Sequence, residues 1–243
     1  MRALVTRPVA DAGPLALALE SRGHEVMIEP LLAIAPIPGA AVDLADVQGV
    51  LVTSANGARA LASATPRRDL PVWAVGEASA GEARRLGFAT VESAGGDAVA
   101  LATFVAARVD PAKGALLHPA GRHIAGDLAE RLAARGFTVR RAMLYEAHPA
   151  ETFSPALSDA LAARAIDLAL FFSPRTAATF ATVARMSGFD TACAAMRAYA
   201  LSAAVSVALE PLTWRAIRVA GQPTQEALLA AIDADAVSGR ATG

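Results

Sequence analysis

Short apolar runs alternate along the chain with Ala-rich stretches whose larger apolar residues recur at helical spacing, and Gly, Pro or Ser marks most changes from one to the other. A short apolar run bounded by turn residues reads as a strand buried on both faces, and an i, i+3, i+4 pattern reads as an amphipathic helix. On these rules Arg2–Thr6 is a strand, Leu15, Ala18, Leu19 and Arg22 lie on one helix ended by Gly23, and His24–Pro30 is a second strand. Leu31–Pro38 carries two prolines and reads as extended, a first candidate connection between domains. Gly49–Thr53, Pro71–Gly76, Thr90–Val91 and Ala115–Gly121 follow as strands, separated by helices that run to about Ala64, from Glu77 to Gly87, over Ala98–Arg108 and from about Ile124 to Arg135. Phe137–Leu144 is a strand leading into Tyr145–Pro149, the second candidate connection. Beyond it the helices Ser154–Arg164, Thr176–Met186, Ala203–Leu209 and Thr224 to about Ile232 alternate with the strands Asp167–Phe172, Ala198–Ser202 and Ala216–Val219. Ser238–Gly243 reads as a frayed end.

Two of these strand-to-helix junctions are copies of one another. Leu51-Val52-Thr53-Ser54-Ala55-Asn56-Gly57 and Leu170-Phe171-Phe172-Ser173-Pro174-Arg175-Thr176 each stop an apolar run at Ser and open an Ala-rich helix. The first N–H groups of a helix have no intrahelical partner, and the helix dipole adds partial positive charge there, so each junction presents a hydroxyl and donors to an anion. The doubling extends further. Leu4-Val5-Thr6-Arg7-Pro8 pairs with Leu116-Leu117-His118-Pro119, Val75-Gly76-Glu77-Ala78-Ser79 with Leu201-Ser202-Ala203-Ala204-Val205, and Gly95-Gly96-Asp97 with Gly221-Gln222-Pro223. The separation between partners widens slowly along the chain, as two diverged copies with loop insertions would show. The prediction is therefore two similar parallel α/β domains of the flavodoxin or Rossmann kind, with ligands at the carboxyl ends of their strands.

The chemistry-bearing residues are sparse. There is no Gly-x-Gly-x-x-Gly, no phosphate-loop Gly-Lys-Ser/Thr, no Gly-x-Ser-x-Gly elbow and no His-Glu-x-x-His. His118 and His123 share one turn but lack a Cys or carboxylate cluster, so a turn role is preferred over a metal site, and no metal is expected. Ser54 and Ser173 come without an identifiable base, which favours helix capping, with or without ligand contact, over nucleophilic attack. Arg7, Arg122 and Arg175 each follow a strand, where they can meet anions drawn to the helix starts. Gly76 is expected to allow a tight turn. Tyr145, one of two tyrosines, stands at the second connection, where its hydroxyl either pairs with backbone or meets a ligand.

Composition narrows the classes. A 54% hydrophobic chain with a mean hydropathy of +0.40 owes much to Ala, and no apolar run approaches the roughly 20 residues of a membrane span, so a soluble protein is expected. A net charge of −1 and a pI of about 6.4 argue against nucleic acid. The lone Cys193 forbids an intramolecular disulfide, the N-terminus offers no signal-peptide pattern, and a cytoplasmic location follows as the expectation. Lys113, the single lysine, lies in an exposed-looking turn, which disfavours Schiff-base chemistry. No feature calls for a second subunit, and a monomer is expected.

Taken in order, Leu4–Pro8, Thr53–Gly57, Val75–Ala80, Leu117–Gly121, Tyr145, Phe171–Thr176, Leu201-Ser202 and Gln222–Leu228 resemble the uroporphyrinogen-III synthase family over about residues 2–232. The resemblance implies two α/β domains joined by two extended linkers, near 31–38 and 144–149, with a tetrapyrrole held in the cleft. One domain would be discontinuous, 1–33 plus 148–243, and the other 36–145. It implies a cofactor-independent lyase that cyclises hydroxymethylbilane, a linear tetrapyrrole, inverting its last ring through a spiro intermediate and releasing water. Tyr145 matches the tyrosine proposed to assist hydroxyl departure. The substrate-binding set it implies is Thr6, Arg7, Ser54, Asn56, Gly76, Ser79, Gly121, Ser173, Arg175 and Ser202. Two departures stand out: Ser79 replaces a common Thr, and Ala203-Ala204-Val205 lacks hydroxyls that some members carry. The competing classes are a two-lobed module that senses an anionic metabolite and a two-domain glycosyltransferase, neither of which accounts for the ordered motifs.

Overall fold

A computed structural model of the chain describes residues 1–122 and 127–240, with side chains to 236 in the last helix. In chain order its elements begin with β1 (Arg2–Val5), α1 (Val9–Glu20), β2 (Glu25–Ile28), β3 (Leu32–Pro36), β4 (Val47–Val52) and α2 (Ala55–Ala64). They continue with β5 (Val72–Ala74), α3 (Glu77–Arg85), β6 (Val91–Ser93), α4 (Ala98–Ala106), β7 (Ala115–Gly121), α5 (Leu128–Ala133) and β8 (Val139–Pro149). The last elements are α6 (Pro155–Ala162), β9 (Leu168–Phe171), α7 (Pro174–Met186), β10 (Arg197–Ala200), α8 (Ala203–Leu209), β11 (Ala216–Val219) and α9 (Gln225–Arg240). The chain divides into two compact units, Met1–Ala33 with His148–Gly243, and Ile34–Ala147.

The first unit is built on a five-stranded sheet of order β11-β10-β9-β1-β2, parallel throughout. Its central strands are apolar on both faces because helices cover both, as parallel sheets require. Leu157, Phe180 and Val205 pack on one side with Phe171 and Trp214, whose ring centroids lie 5.8 Å apart. Leu15, Leu19, Leu228 and Ile232 pack on the other side, around Tyr199. The last helix runs past the expected end at Ile232 to Arg240, and the backbone of Ser238–Arg240, expected to fray, is helical. Asp235 explains part of this extension, because it accepts from the Tyr199 hydroxyl at 3.1 Å and pairs with Arg218 at 3.0 Å.

The second unit carries the sheet β3-β8-β7-β4-β5-β6, in which β4 pairs in parallel with β5 and β7, β5 with β6, and β7 with β8. One face packs on Ala58 and Leu61 of α2 and Ala80 and Ala83 of α3, the other on Leu101 and Val105 of α4 and Leu128 and Leu132 of α5. Gly49 of β4 makes room for the neighbouring strand, since a Cβ there would lie 2.2 Å from the ring of Trp73 in β5. Two segments differ from the sequence expectation. Leu32–Pro36, read as connecting chain, is a sheet strand, and the strand expected to end at Leu144 continues to Pro149 as β8. Both extensions arise from pairing, because β3 takes the sheet edge beside β8.

The repeated motifs occupy equivalent places. Reading β2-β1-β9-β10-β11 against β8-β7-β4-β5-β6 matches the two sheets strand for strand, each motif on its partner's strand. In both, successive strands run one way from a central strand and then the other, which places a topological switch point between β1 and β9 in one unit and between β7 and β4 in the other. Ligands of open parallel sheets bind outside the strand ends at such points. Ser173 and Ser54 stand at the two of them.

Candidate functional site

In the second unit, β4 ends at Val52 and Ser54 caps α2, its Oγ accepting from the Gly57 N–H at 3.1 Å. Gly57 leaves no room for a side chain, because a Cβ there would meet the Pro119 carbonyl oxygen at 2.7 Å. That carbonyl is near because β7 pairs with β4 only as far as Leu117 and then runs on beyond it. The longer strand brings Gly121 into register with Tyr145 of β8. A Cβ on Gly121 would lie 2.9 Å from the Tyr145 ring, so the glycine makes space for the phenol, whose hydroxyl stands 3.1 Å from Ser54 Oγ. Residues far apart in sequence thus converge at one switch point.

Around this pair the polar groups are mostly engaged. Asn56 Oδ1 accepts from Arg59 at 2.9 Å, and Arg59 pairs with Glu82 of α3 at 2.7 Å, fastening the start of α2 to its neighbour. The carboxyl of Glu82 is held down to about 2, chiefly by the hydrogen bond from Arg85 and further by Arg59, against the opposing effect of burial. Ser79 is buried in the first turn of α3. Gly76 caps that helix in an extended conformation, φ −155° and ψ 172°, with nothing near the place of a Cβ, so the chain bends there between strand and helix in a conformation that does not require glycine. His118 is buried, its Nε2 lies 3.1 Å from Thr53 Oγ1, and burial followed by the charge of Arg141 pushes it down to about 4. His123 lies outside the described residues. Among the described residues no group of His, Cys, Asp and Glu side chains could hold a metal.

In the first unit, Ser173 caps α7, accepting from the Thr176 N–H at 3.1 Å, and its hydroxyl pairs with Thr176 Oγ1 at 2.8 Å. Arg7 follows β1, stacks over the Phe172 ring at 4.4 Å from its centroid and donates to Gln225 at 3.1 Å. Arg175 lies in the first turn of α7, and Ser202 precedes α8 without a side-chain capping bond. Thr6 is fully buried and its hydroxyl donates to the Leu170 carbonyl at 2.7 Å, tying β1 to β9. Arg122 pairs with Glu146 at 2.9 Å in the second unit. Phe172, Gln225 and Thr176 lie within the motifs but are not among the residues the sequence assigns to the site. Ser-x-x-Thr against Ser-x-x-Gly is one of the differences between the two copies that bears on these contacts.

The sequence profile of the family described as uroporphyrinogen-III synthase HemD matches residues 13–230. The chain belongs to the uroporphyrinogen-III synthase family. This membership favours the enzyme over the metabolite-sensing module and the glycosyltransferase. Two solved structures share its fold over nearly their whole length. The uroporphyrinogen-III synthetase from Helicobacter pylori has a TM-score of 0.65 at 14% identity, covering 96% of this chain and 99% of its own. A mutant uroporphyrinogen III synthase from the extremely thermophilic bacterium Thermus thermophilus has a TM-score of 0.55 at 17% identity, covering 96% and 97%. Among curated protein sequences none matches the chain. No helix among the described residues is long and apolar enough to cross a membrane.

Proposed function

We propose that this uroporphyrinogen-III synthase closes hydroxymethylbilane with Tyr145 at the departing hydroxyl and with the Ser54 and Ser173 turns holding substrate carboxylates. The family match over residues 13–230 carries the activity, and the convergence of Ser54, Gly121 and Tyr145 at a switch point supports the site. The substrate's acetate and propionate groups suit helix starts, hydroxyls and arginines. Each unit offers such turns. Arg7 is prepared for this role, because stacking on Phe172 fixes its plane before a carboxylate arrives.

The chemistry begins with an electron-rich pyrrole expelling the terminal hydroxyl. Tyr145 lends its phenolic proton to that oxygen, which leaves as water, and an N-protonated azafulvene cation remains beside the phenolate. Attack through the substituted carbon of the last ring forms the spiro intermediate; the bond from that carbon to the methylene of the preceding ring then breaks, and the freed cationic methylene closes on the unsubstituted α-carbon of the last ring, which is thereby inverted. Closure releases a proton from the ring carbon, which restores the phenol, so one water is the net product. The protein's main contribution is to hold the chain ends in the geometry that leads to the spiro carbon.

Purified protein given hydroxymethylbilane without added cofactor is expected to yield the type III isomer. Finding only the spontaneously formed type I isomer would overturn the assignment. Tyr145→Phe is expected to lower turnover severalfold or more with the fold intact, and unchanged turnover would reduce Tyr145 to a packing residue.

A further inference from the structure

We infer that Ser54 is a positioning residue for Tyr145, passing the hydrogen-bond polarity of the α2 start to the phenol and leaving the phenolic proton free for the substrate. The inference rests on the reading of Tyr145 given above. Ser54 Oγ accepts the Gly57 N–H at 3.1 Å and lies 3.1 Å from Tyr145 Oη, so it is bonded on two sides. A hydroxyl has one proton and two acceptor sites. With the helix N–H on one acceptor site, Ser54 can donate its proton to Tyr145 or accept the one on Tyr145. In the second arrangement the phenol's proton is spent inside the protein, and the substrate meets only lone pairs. The first gives a chain from Gly57 N–H through Ser54 O–H to Tyr145 O–H, aimed at the departing hydroxyl. Each bond in such a chain polarises the next, and negative charge developing on the phenol oxygen is shared toward the helix start.

The other copy of the motif shows that this arrangement is not a by-product of capping. Ser173 caps its helix with the same 3.1 Å bond, but its hydroxyl pairs at 2.8 Å with Thr176, the residue equivalent to Gly57. In the Ser54 copy that position is Gly57, where any side chain would collide with the Pro119 carbonyl. The absence of a second hydroxyl at that position of the turn leaves Ser54 available to Tyr145.

The test uses Ser54→Asp, because Asp caps a helix as well as Ser does and has no proton to donate near neutral pH. The carboxylate keeps the fold and accepts the phenolic proton, withdrawing it from the substrate. Its repulsion of substrate carboxylates acts on KM, so kcat is the diagnostic quantity. With hydroxymethylbilane as substrate, Ser54→Asp is expected to lose kcat severalfold or more, up to the loss seen in Tyr145→Phe and no further, at unchanged melting temperature. Ser54→Thr is expected to regain most of that loss. In a Tyr145→Phe background, Ser54→Asp is expected to have no further effect on kcat. An unchanged kcat in Ser54→Asp while Tyr145→Phe is impaired would show that Ser54 only caps the helix. An equal loss in both backgrounds would show that it does not act through Tyr145. If Tyr145→Phe itself turned over normally, the reading of Tyr145 would fall first.

Discussion

Gly121 lies opposite Tyr145 across the β7–β8 pairing, and the phenol ring fills the space a side chain at 121 would need, with Cε2 at 2.9 Å and Cζ at 3.1 Å from the position of a Cβ. The glycine therefore belongs to the site through the room it leaves. Gly121→Ala is expected to push the ring off its contact with Ser54. Because misplacement of a reacting group by about 1 Å can cost up to 10²-fold, kcat should fall about tenfold or more while KM changes little. Steady-state kinetics separate this from direct substrate contact by the Gly121 backbone, which would raise KM and leave kcat in place.

At Gly57 the obstacle is backbone. The Pro119 carbonyl oxygen at 2.7 Å from a Cβ cannot swing aside as a side chain would. Gly57→Ala gains about 1 kcal/mol of helix propensity, but the start of α2 must shift, at a cost of about 1–3 kcal/mol. Net destabilisation is expected in urea unfolding. A more stable variant would mean that the helix moves without penalty.

Arg7 is held by Phe172 and Gln225. Arg7→Ala is expected to raise KM for hydroxymethylbilane severalfold with stability changed by no more than about 1 kcal/mol. Arg7→Lys should not restore binding, since an ammonium neither stacks as a plane nor meets a carboxylate in two bonds. Recovery in the Lys variant would assign Arg7 a role as charge alone.

His118 predicts a pH dependence of stability whose sign is fixed. Held down to about 4 by burial, it stays neutral in the fold where the unfolded chain, with its ordinary value near 6.5, already binds a proton. Stability from this group is present above about 6.5, falls as the pH drops toward about 4, and levels off below that, with a total on the order of 3 kcal/mol. His118→Gln keeps a partner for Thr53 without titrating. Denaturant unfolding across this window should lose most of its slope in the variant, and an unchanged slope would assign it to other groups.

Much of the fold could be read in the sequence because strands such as Leu168–Phe171 are apolar on both faces, and because the Ser54 and Ser173 junctions repeat in order with their flanking turns. Features that depend on register could not be read. Nothing local announces that β7 outruns β4, that Gly121 then falls beside Tyr145, or that Ser54 meets a hydroxyl on another strand. Thr6 and Gly76 show the opposite difficulty. Both lie at strand ends, where residues suited to ligands and residues suited to structure look alike, and the fold buries the Thr6 hydroxyl against Leu170 and leaves Gly76 extended.

Glu82 connects stability to the site, because it anchors Arg59, which in turn holds Asn56 in the first turn of α2. Its side chain is 10% exposed and takes two arginines, the more exposed Arg85 and the better-buried Arg59. The folded value of about 2 lies below the ordinary 4.5, so its contribution is complete above about 4.5 and is lost as the pH falls toward about 2. Glu82→Gln removes the negative charge that Arg59 and Arg85 pair with. A loss of about 1–3 kcal/mol at neutral pH is expected, between the values for an exposed and a fully buried pair. Acid unfolding between about 4.5 and 2 should become correspondingly shallower. If Arg59 also orders the Asn56 turn for substrate, KM for hydroxymethylbilane should rise in the same variant while kcat holds. A stability loss with KM unmoved would confine the Glu82 network to joining α2 and α3.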